Sequence, residues 1–524
     1  MFNIEATEQP SILFGHNSHW LKICLLVMFL LATLIRLDEI KAPGHLLDRE
    51  YTSAIFARAY YFTNNDEIED WRRDIAITAK EQQPVLEPPL VDYLVSLIYR
   101  ITGREELHFA RYLTNAFWLL GGVFMFLIAR KLLSIDEAFI ATAYYLFVPM
   151  GIIISRSFQP DSLMMMLFLF SLYLLVLYFE VPSTKCLLSA AILTGVTLLL
   201  RPLIIFAIFF AYLAFSVHRN QNWKKIIDLP LVIFGVISLL PSILYYGHGI
   251  LFAGFMRWKI STSFMPYLLT KKDFWLGWFN NIVDVAEFMP LFLTILGFFL
   301  IKNRKLQYLL VGLAVSFVVF SVVFTYHIHT HPYYHIQLFP IIGLCMAPSI
   351  ISIVQPLRQA AGKFWWAPVV GVFLFASYIG YREVRGNLYQ TRLEDPTMAW
   401  EIGEAIGHSP YTVYVAYYYG VPLEYYGEFG GAPWPVRIED EFYRRPDEQE
   451  ASVQQRMNAL GFVPEYFVIT HFDLFNRKHQ DLQIYLDANC NVVAQTDLYL
   501  IYGPCQSSIS IKDPALTLSI RSWN

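Results

Sequence analysis

The sequence predicts a polytopic α-helical membrane protein with a small α/β domain at its C-terminus. Hydrophobic residues make up 56% of its 524 residues, charged residues make up 16%, and the mean hydropathy is +0.42. Soluble domains carry more charge and fewer apolar residues. The apolar residues are concentrated in long runs that stop near residue 381, beyond which the composition is that of a soluble domain. We therefore expect a transmembrane domain over residues 1–381 and a soluble α/β domain over residues 382–524.

About eleven apolar runs have the length and composition of membrane-spanning helices. They are Leu21–Leu37, Tyr112–Ala129, Ala138–Ile154, Ser162–Phe179, Cys186–Leu200, Leu203–Val217, Leu229–Tyr246, Val285–Ile301, Leu306–Tyr326, Ile336–Val354 and Trp365–Tyr381. Residues 186–217 could also form one long helix. Basic residues on both flanks require an even number of crossings, which favours a hairpin broken at Arg201 and Pro202.

Basic residues predict the orientation of these helices. They concentrate in every second short loop, which marks those loops as cytoplasmic. These residues are Arg130, Lys131, Lys185, Arg219, Lys224, Lys225, Lys302, Arg304, Lys305, Arg358 and Lys363. The N-terminus is then inside and the C-terminal domain outside. The net charge of −4 gives no indication of a nucleic-acid partner.

Periodic patterns predict the elements of the C-terminal domain. Tyr411–Gly420 and Glu465–Phe472 have the pattern of strands, while Glu448–Leu460 and Leu474–Leu486 have that of helices. A final hairpin follows. This alternation of strands and helices predicts a small α/β domain.

The five cysteines fall into two groups. Cys24, Cys186 and Cys345 lie within apolar runs, where a thiol packs as a small hydrophobic group. Cys490 and Cys505 flank the predicted hairpin of a domain that we place in an oxidising compartment. We predict that these two form a disulfide, whose loop of about 15 residues would stabilise the domain by about 3 kcal/mol.

The external loop 38–108 is the polar segment between the first and second predicted spans. Its apolar residues from Glu50 to Phe62 recur at helical spacing, which predicts an amphipathic helix on the membrane surface with carboxylates at its N-terminal end. A solvated loop whose charges keep it out of the bilayer is an equal alternative. The later loop 247–284 is rich in aromatic residues, as expected of a surface helix that enters the lipid interface.

Two further features lie on the predicted external side. Arg201 stands between two apolar arms, where a charge facing lipid is costly, so it either faces a cavity or phosphate group or extends to the headgroups. The histidines His327, His329, His331 and His335 are dense enough to suggest zinc or manganese binding, although an interfacial aromatic belt explains the same segment.

Five motifs in this order resemble a known family. They are DREYTSAIFAR from residue 48, EPPLVDYL from residue 87, ARYLTNAF from residue 110, SRSFQPDSLM from residue 155 and HPYYHIQLFP from residue 331. Together they are similar to the family 39 glycosyltransferases of the GT-C class, which include protein O-mannosyltransferases and the aminoarabinose transferases of lipid A. The resemblance extends from about Arg36 to Tyr381 and implies a GT-C-like fold.

The resemblance also implies a reaction. The donor would be a sugar on a polyprenyl phosphate, and a lipid, glycan or protein would accept it by an inverting displacement on the external face of a bacterial inner membrane. Such a transfer needs a carboxylate that takes the acceptor proton. Asp48 matches the carboxylate of the family's first external loop, Glu50 competes with it because Arg49 separates the pair, and Asp161 matches a second acidic position.

The leaving phosphate needs hydrogen-bond donors and positive charge. The candidates are Arg58, Arg156, Arg201, His331, Tyr333 and Tyr334. Relatives often have a basic residue or His before the paired prolines, where this chain has Glu87. That change removes one phosphate contact and leaves Glu87, with His327 and His329, as a candidate metal ligand. No cofactor is certain, and a divalent metal could bind.

Two other functions fit a polytopic chain. A secondary transporter would need ionisable residues near the bilayer midplane and an internal repeat, whereas the polar residues here cluster at predicted external ends and the sequence shows no repeat. A non-catalytic protein of cell-envelope glycan assembly would use the C-terminal domain instead. Loss of transfer in a single-carboxylate variant that still folds would distinguish an enzyme from this non-catalytic protein.

Overall fold

The structure is a computed structural model that describes residues 11–14, 18–42, 49–63, 65–85, 87–221, 226–253, 263–364, 366–390, 395–434 and 452–505. The chain divides into two compact units. The helical unit comprises Met1–Ile40, Arg111–His248 and Ile260–Asn387. The loop–sheet unit comprises Lys41–Ala110, Gly249–Lys259 and Leu388–Asn524, so it combines the first loop with the C-terminal region.

The described α-helices and strands are numbered in chain order. The helices are α1 (Ser18–Leu37), α2 (Arg49–Phe62), α3 (Asp70–Gln82), α4 (Leu90–Thr102), α5 (Leu107–Leu132), α6 (Ile135–Phe147), α7 (Pro149–Ser155), α8 (Asp161–Glu180), α9 (Thr184–Leu200), α10 (Ile205–Asn220), α11 (Leu229–Leu251), α12 (Lys272–Ala286), α13 (Phe288–Leu300), α14 (Arg304–Val323), α15 (Thr325–Thr330), α16 (Phe339–Ala361), α17 (Trp366–Gln390), α18 (Pro396–Ala405), α19 (Val421–Gly427), α20 (Val453–Asn458), α21 (Phe472–Lys478) and α22 (Gln480–Asn489). The strands are β1 (Thr412–Val415), β2 (Gly431–Pro433), β3 (Tyr466–Ile469), β4 (Cys490–Gln495) and β5 (Leu500–Cys505).

Each predicted apolar run corresponds to a helix or a bent helix pair. Within the described residues, seven helices are long and apolar enough to cross a membrane, or up to nine if the bent pairs α6/α7 and α12/α13 each count as one span. The prediction of about eleven is higher because α9, with 17 residues, is short and α17 carries Arg382 and Arg385 in its second half. The chain is an integral membrane protein built of many helices, as predicted.

Close helix packing organises the helical unit. Helix α8 packs against α9, α10 against α14, and α16 against α6 and α13. The α13–α16 contact depends on Gly297, because a Cβ atom there would overlap the carbonyl oxygen of Cys345. The predicted break at Arg201 is confirmed: α9 ends at Leu200, and a short 3-10 turn, Pro202–Ile204, leads into α10.

The first loop forms three helices, and the first of them corrects a prediction. Helix α2 does begin next to Glu50, but 12 of its 14 residues are buried, so it is not an amphipathic helix with one exposed face. It packs against α3, α4 and α19. The ring of Tyr51 lies 5.8 Å from that of Tyr425 and 5.5 Å from that of Tyr426, both in α19. The helical spacing of the apolar residues in α2 therefore belongs to a helix that is buried on several sides.

The C-terminal region contains a five-stranded sheet with strand order β2-β1-β3-β5-β4. Strand β1 is parallel to both β2 and β3, and β5 is antiparallel to β3 and β4. This confirms the predicted α/β domain, including its two central strands and final hairpin. The N-terminal part of the predicted helix 448–460 lies outside the described residues, and α20 accounts for the rest.

Side chains alternate between the two faces of this sheet. Val413 and Val415 pack with apolar residues of α20, α21 and α22, whereas Tyr414 packs with those of α18 and α19. The sheet is therefore covered by helices on both faces, as parallel strands require. The predicted disulfide is confirmed, since Cys490 and Cys505 are bonded across the β4–β5 hairpin.

Candidate functional site

The loop–sheet unit places several charged groups at the N-terminal ends of α2 and α4. Arg49 Nη2 donates to Glu87 Oε1 at 2.8 Å, and Glu50, in the next position of α2, is fully buried. Asp48 lies outside the described residues. Glu87 is thus the partner of an arginine in this structure.

Asp92 belongs to the same group of charges, and the sequence analysis missed it. It lies in the first turn of α4 and is 5% exposed. Burial raises its pKa to about 7, although Arg49 and Ser53 act in the opposite direction. The signal in the sequence was an aspartate inside the apolar stretch that follows the paired prolines.

Arg58 is held by contacts within the loop–sheet unit. Its Nε donates to Glu105 Oε1 at 2.7 Å, its Nη1 donates to the carbonyl oxygen of Tyr425 at 2.5 Å, and its guanidinium lies 4.0 Å from the centre of the Tyr425 ring. Burial acts to lower its pKa, but the neighbouring Glu105 raises it overall. Arg58 therefore joins α2 to α19, and its role at the donor phosphate remains a prediction from the sequence.

A second set of contacts joins α3 to the residue that follows α19. Arg72 donates through Nε and Nη2 to the two carboxylate oxygens of Glu428. Nearby, Glu424 is 1% exposed and accepts hydrogen bonds from Gln83 at 2.7 Å and from Tyr414 at 3.2 Å. Burial raises the pKa of Glu424 to about 8, so this carboxyl is mostly protonated at neutral pH.

In the helical unit, the predicted second external turn, Ser155–Asp161, lies between α7 and α8. Arg36 of α1 is fully buried and fixes this turn, because it donates to Ser155 Oγ at 2.7 Å and to the carbonyl oxygen of Leu146 at 2.8 Å. Those contacts join the two sides of the 58° bend between α6 and α7. Arg156 donates to the carbonyl oxygen of Asp38 at 2.5 Å. Sequence reasoning missed Arg36, although an arginine inside an apolar span is a recognisable signal.

Asp161 and Arg201 form an ion pair at the end of this turn. Arg201 Nη2 donates to Asp161 Oδ2 at 2.7 Å, and Nε donates to Oδ1 at 3.2 Å. The side chain of Asp161 is 5% exposed, and that of Arg201 is 14% exposed. Arg201 therefore faces a carboxylate within the helical unit.

The histidine-rich segment forms an aromatic cluster of the helical unit. The ring of His331 lies 5.5 Å from that of Tyr333 and 5.9 Å from that of Tyr334, so these three predicted residues do come together. Contacts between rings continue from Tyr334 to Phe320 and from Phe320 to Phe206, in the first turn of α10 just after Arg201.

The same segment does not form a metal centre. His327 shares a hydrogen bond with Ser263 Oγ at 2.9 Å, and His329 Nδ1 contacts the carbonyl oxygen of Thr325 at 2.9 Å. Within the described part of the chain, no group of three or more His, Cys, Asp or Glu residues is placed to hold a metal ion.

Known structures share this architecture along nearly the whole chain. ArnT from Cupriavidus metallidurans in the apo state matches with a TM-score of 0.57 and 14% identity, covering 93% of this chain and 98% of that one. ArnT bound to undecaprenyl phosphate gives a TM-score of 0.58 at 14% identity, with 94% and 99% covered. The Archaeoglobus fulgidus oligosaccharyltransferase in the apo form gives 0.59 at 12% identity, with 95% and 76% covered.

These likenesses show the GT-C fold, so the fold that the sequence motifs implied is confirmed. Residues 86–245 also match the sequence model of a family described as dolichyl-phosphate-mannose-protein mannosyltransferase. No curated protein sequence matches the chain.

Proposed function

We propose that this protein is a glycosyltransferase that moves a sugar from a polyprenyl phosphate to a lipid, glycan or protein acceptor on the external face of a bacterial inner membrane. One observation carries the proposal: the family match over residues 86–245 includes the turn and the helix break that form the buried Asp161–Arg201 pair. The undecaprenyl phosphate bound to the similar ArnT structure supports the choice of donor.

The proposed reaction is an inverting displacement. The acceptor hydroxyl attacks the anomeric carbon while the bond from that carbon to the phosphate oxygen breaks, and polyprenyl phosphate leaves with the bonding electron pair. A carboxylate takes the hydroxyl proton. We assign this role to Asp48 rather than Glu50, because Glu50 is fully buried and suits a positioning role in α2.

The leaving phosphate is stabilised by positive charge and hydrogen-bond donors. We assign Arg201 as the cation and the Asp161 carboxylate as the group that orients it. Arg156 shares a turn with Asp161, and His331, Tyr333 and Tyr334 supply polar hydrogens from the aromatic cluster. Guanidinium groups bind phosphate oxygens through two parallel hydrogen bonds, the geometry in which Arg201 already meets a carboxylate.

The experiment that tests this function compares a deletion strain with its parent. Mass spectrometry of lipid-linked sugars and surface glycans should show a lipid-linked sugar that accumulates and a glycan that loses that sugar. Complementation with the native gene should restore the glycan, and complementation with a folded Asp48→Asn variant should not. Restoration by the Asp48→Asn variant would favour the non-catalytic assembly protein.

The predicted location is tested separately. A reporter that is active only outside the cytoplasm, fused after Asn524, should be active, because the alternating basic loops place the C-terminal domain outside. Activity of a cytoplasm-specific reporter at the same position would reverse the topology and move every proposed site residue to the other face.

A further inference from the structure

The two central parallel strands of the C-terminal sheet end beside each other. Strand β1 continues into α19, which covers one face of the sheet, and β3 continues into α21, which covers the other. Neighbouring parallel strands whose connections leave towards opposite faces create a crevice at their carboxyl ends, and such crevices are the usual binding sites of open α/β sheets. The residues at the carboxyl ends of these two strands are those that follow Val415 in β1 and Ile469 in β3.

The two strand ends are joined by hydrogen bonds. The backbone N–H groups of Thr470 and His471 both donate to the carbonyl oxygen of Val415 at 3.0 Å. This arrangement sets the imidazole of His471 against the ring of Tyr417, with ring centres 3.9 Å apart and an angle of 31° between the planes. A stacked pair of rings therefore lies at the carboxyl ends of β1 and β3.

Backbone strain is concentrated at the same place. Tyr418 (φ 52°, ψ 41°) and Tyr419 (φ 57°, ψ 17°) are both left-handed, and Gly420 continues this conformation with φ 70°. Left-handed conformations of residues with a side chain cost about 1–3 kcal/mol each, and they collect at ligand sites, where the conformation is needed. Glycine would be favoured at both positions, yet the chain has tyrosine, and the ring of Tyr419 is 41% exposed.

The chemistry of these groups favours an uncharged ligand rich in hydroxyl groups. The sequence after β1 is AYYYG, which lacks the glycine pattern that brings a nucleotide phosphate to a helix N-terminus. Burial lowers the pKa of His471, although Asp473 acts in the opposite direction, and this shift favours the neutral imidazole. Asp473, exposed in the first turn of α21, adds an acceptor for hydroxyl groups.

We propose that Tyr417, Tyr419 and His471 form a saccharide-binding site at the carboxyl ends of β1 and β3. The apolar C–H face of a pyranose ring stacks on tyrosine, whose phenol hydroxyl and aromatic ring present polar and apolar surface side by side. The site binds neutral oligosaccharides and does not take part in bond making. It is independent of the proposed transfer reaction.

The test uses the full-length protein in detergent and a panel of immobilised neutral di- to tetrasaccharides, with ADP and anionic saccharides as comparison ligands. Tyr419→Ala and Tyr417→Ala should each weaken binding of a neutral saccharide by about 10-fold, the loss typical of one stacking ring. Tyr411→Ala is the matched control, because Tyr411 is 42% exposed at the opposite end of β1, and binding should change less than about twofold.

Two further variants separate binding from folding and from catalysis. Tyr419→Gly keeps the left-handed backbone without strain, so it should raise the Tm while it weakens saccharide binding. Arg201→Ala should leave saccharide binding intact even if sugar transfer is lost. The proposal is overturned if the native protein binds no neutral saccharide, if it binds ADP instead, or if all variants bind equally well.

Discussion

Arg201 meets the carboxylate of Asp161 with two parallel hydrogen bonds, of 2.7 and 3.2 Å, at the point where the chain breaks between α9 and α10. Both side chains are largely buried. A buried charge is costly when its partner is removed, so each residue depends on the other for its position. Because of this dependence, single and double variants of the two residues can be compared to test whether they act together.

We expect Arg201→Ala to lower kcat/KM for the lipid-phosphate donor by about 10²–10³, because the variant loses the charge that we propose stabilises the leaving phosphate. Asp161→Asn should have a smaller effect of the same kind, since the guanidinium stays but is less well oriented. The double variant should be no worse than Arg201→Ala alone. Steady-state kinetics with varied donor concentration measure all three.

Arg201→Lys is the control, because lysine keeps the positive charge but cannot form the two parallel hydrogen bonds of a guanidinium group. Its activity should fall between those of the native protein and the alanine variant. If the effects of Asp161→Asn and Arg201→Ala simply add, the residues act independently, and Asp161 regains its sequence-based role as a catalytic carboxylate.

A second prediction concerns the two carboxylates next to Arg49. Asp48→Asn should lower the transfer rate by about 10²–10⁴ while donor binding persists, because an amide cannot accept the hydroxyl proton. Glu50→Gln should reduce the Tm more than the rate, since Glu50 is fully buried in α2. Single-turnover kinetics and thermal unfolding in detergent separate these effects. An inactive Glu50→Gln variant beside an active Asp48→Asn variant would exchange the two roles.

A third prediction follows from the buried carboxyl of Glu424, whose pKa burial raises from 4.5 to about 8. The folded state therefore binds a proton that the unfolded chain releases, and the free energy of unfolding falls as pH rises between these two values and levels off above the higher one. Over that pH interval the free energy of unfolding falls by roughly 3–5 kcal/mol in total. Glu424→Gln should remove this dependence.

Thermal unfolding followed by intrinsic fluorescence at several pH values between about 5 and 9 tests this expectation. Glu428→Gln is the matched control in the same region, because the ion pair with Arg72 lowers the pKa of Glu428 despite its burial. That variant should lose stability throughout the range. A Glu424→Gln protein with an unchanged pH dependence would show that another group titrates.

A fourth prediction tests the contact between α13 and α16. Gly297→Ala should destabilise the protein by about 1–3 kcal/mol, because the added methyl group would overlap the carbonyl oxygen of Cys345 and push the helices apart. Gly235→Ala is the control in α11, where a Cβ atom meets nothing within 4 Å. It should be neutral or stabilising by up to about 1 kcal/mol. Equal Tm values for the two variants would contradict the close approach.

The fifth prediction concerns the C-terminal hairpin. Replacing Cys490 and Cys505 by serine should lower the free energy of unfolding of the sheet by about 3 kcal/mol, because the bond closes a loop of 15 residues. Addition of a reductant should destabilise the native protein by a similar amount and leave the double serine variant unchanged. Limited proteolysis of the C-terminal region provides the measurement.

Local patterns predicted the helices and strands well. The eleven apolar runs all became helices, because hydropathy over about 20 residues is a property of the run itself. The break at Arg201 was likewise predictable, since proline cannot donate a backbone hydrogen bond within a helix. The disulfide between Cys490 and Cys505 followed from two cysteines that flank a hairpin.

Partners distant in sequence could not be predicted in the same way. The periodicity of α2 revealed a helix, but its burial depends on α19, and the contact from Arg58 to Tyr425 joins residues 367 positions apart. The sequence therefore gave no indication that Arg58 donates to Glu105 and to a backbone carbonyl. The pairing of Asp161 with Arg201, 40 positions apart, was hidden for the same reason.

The packing of α2 against α19 also bears on biosynthesis. The segment that contains Tyr51 and Phe56 leaves the ribosome long before the residues that bury it have been translated. During that interval its apolar side chains need a temporary cover from lipid or from a chaperone. Premature termination before β1 would make the exposure permanent, so we expect quality-control proteases to attack such truncated chains first near residue 50, far from the point where translation stopped.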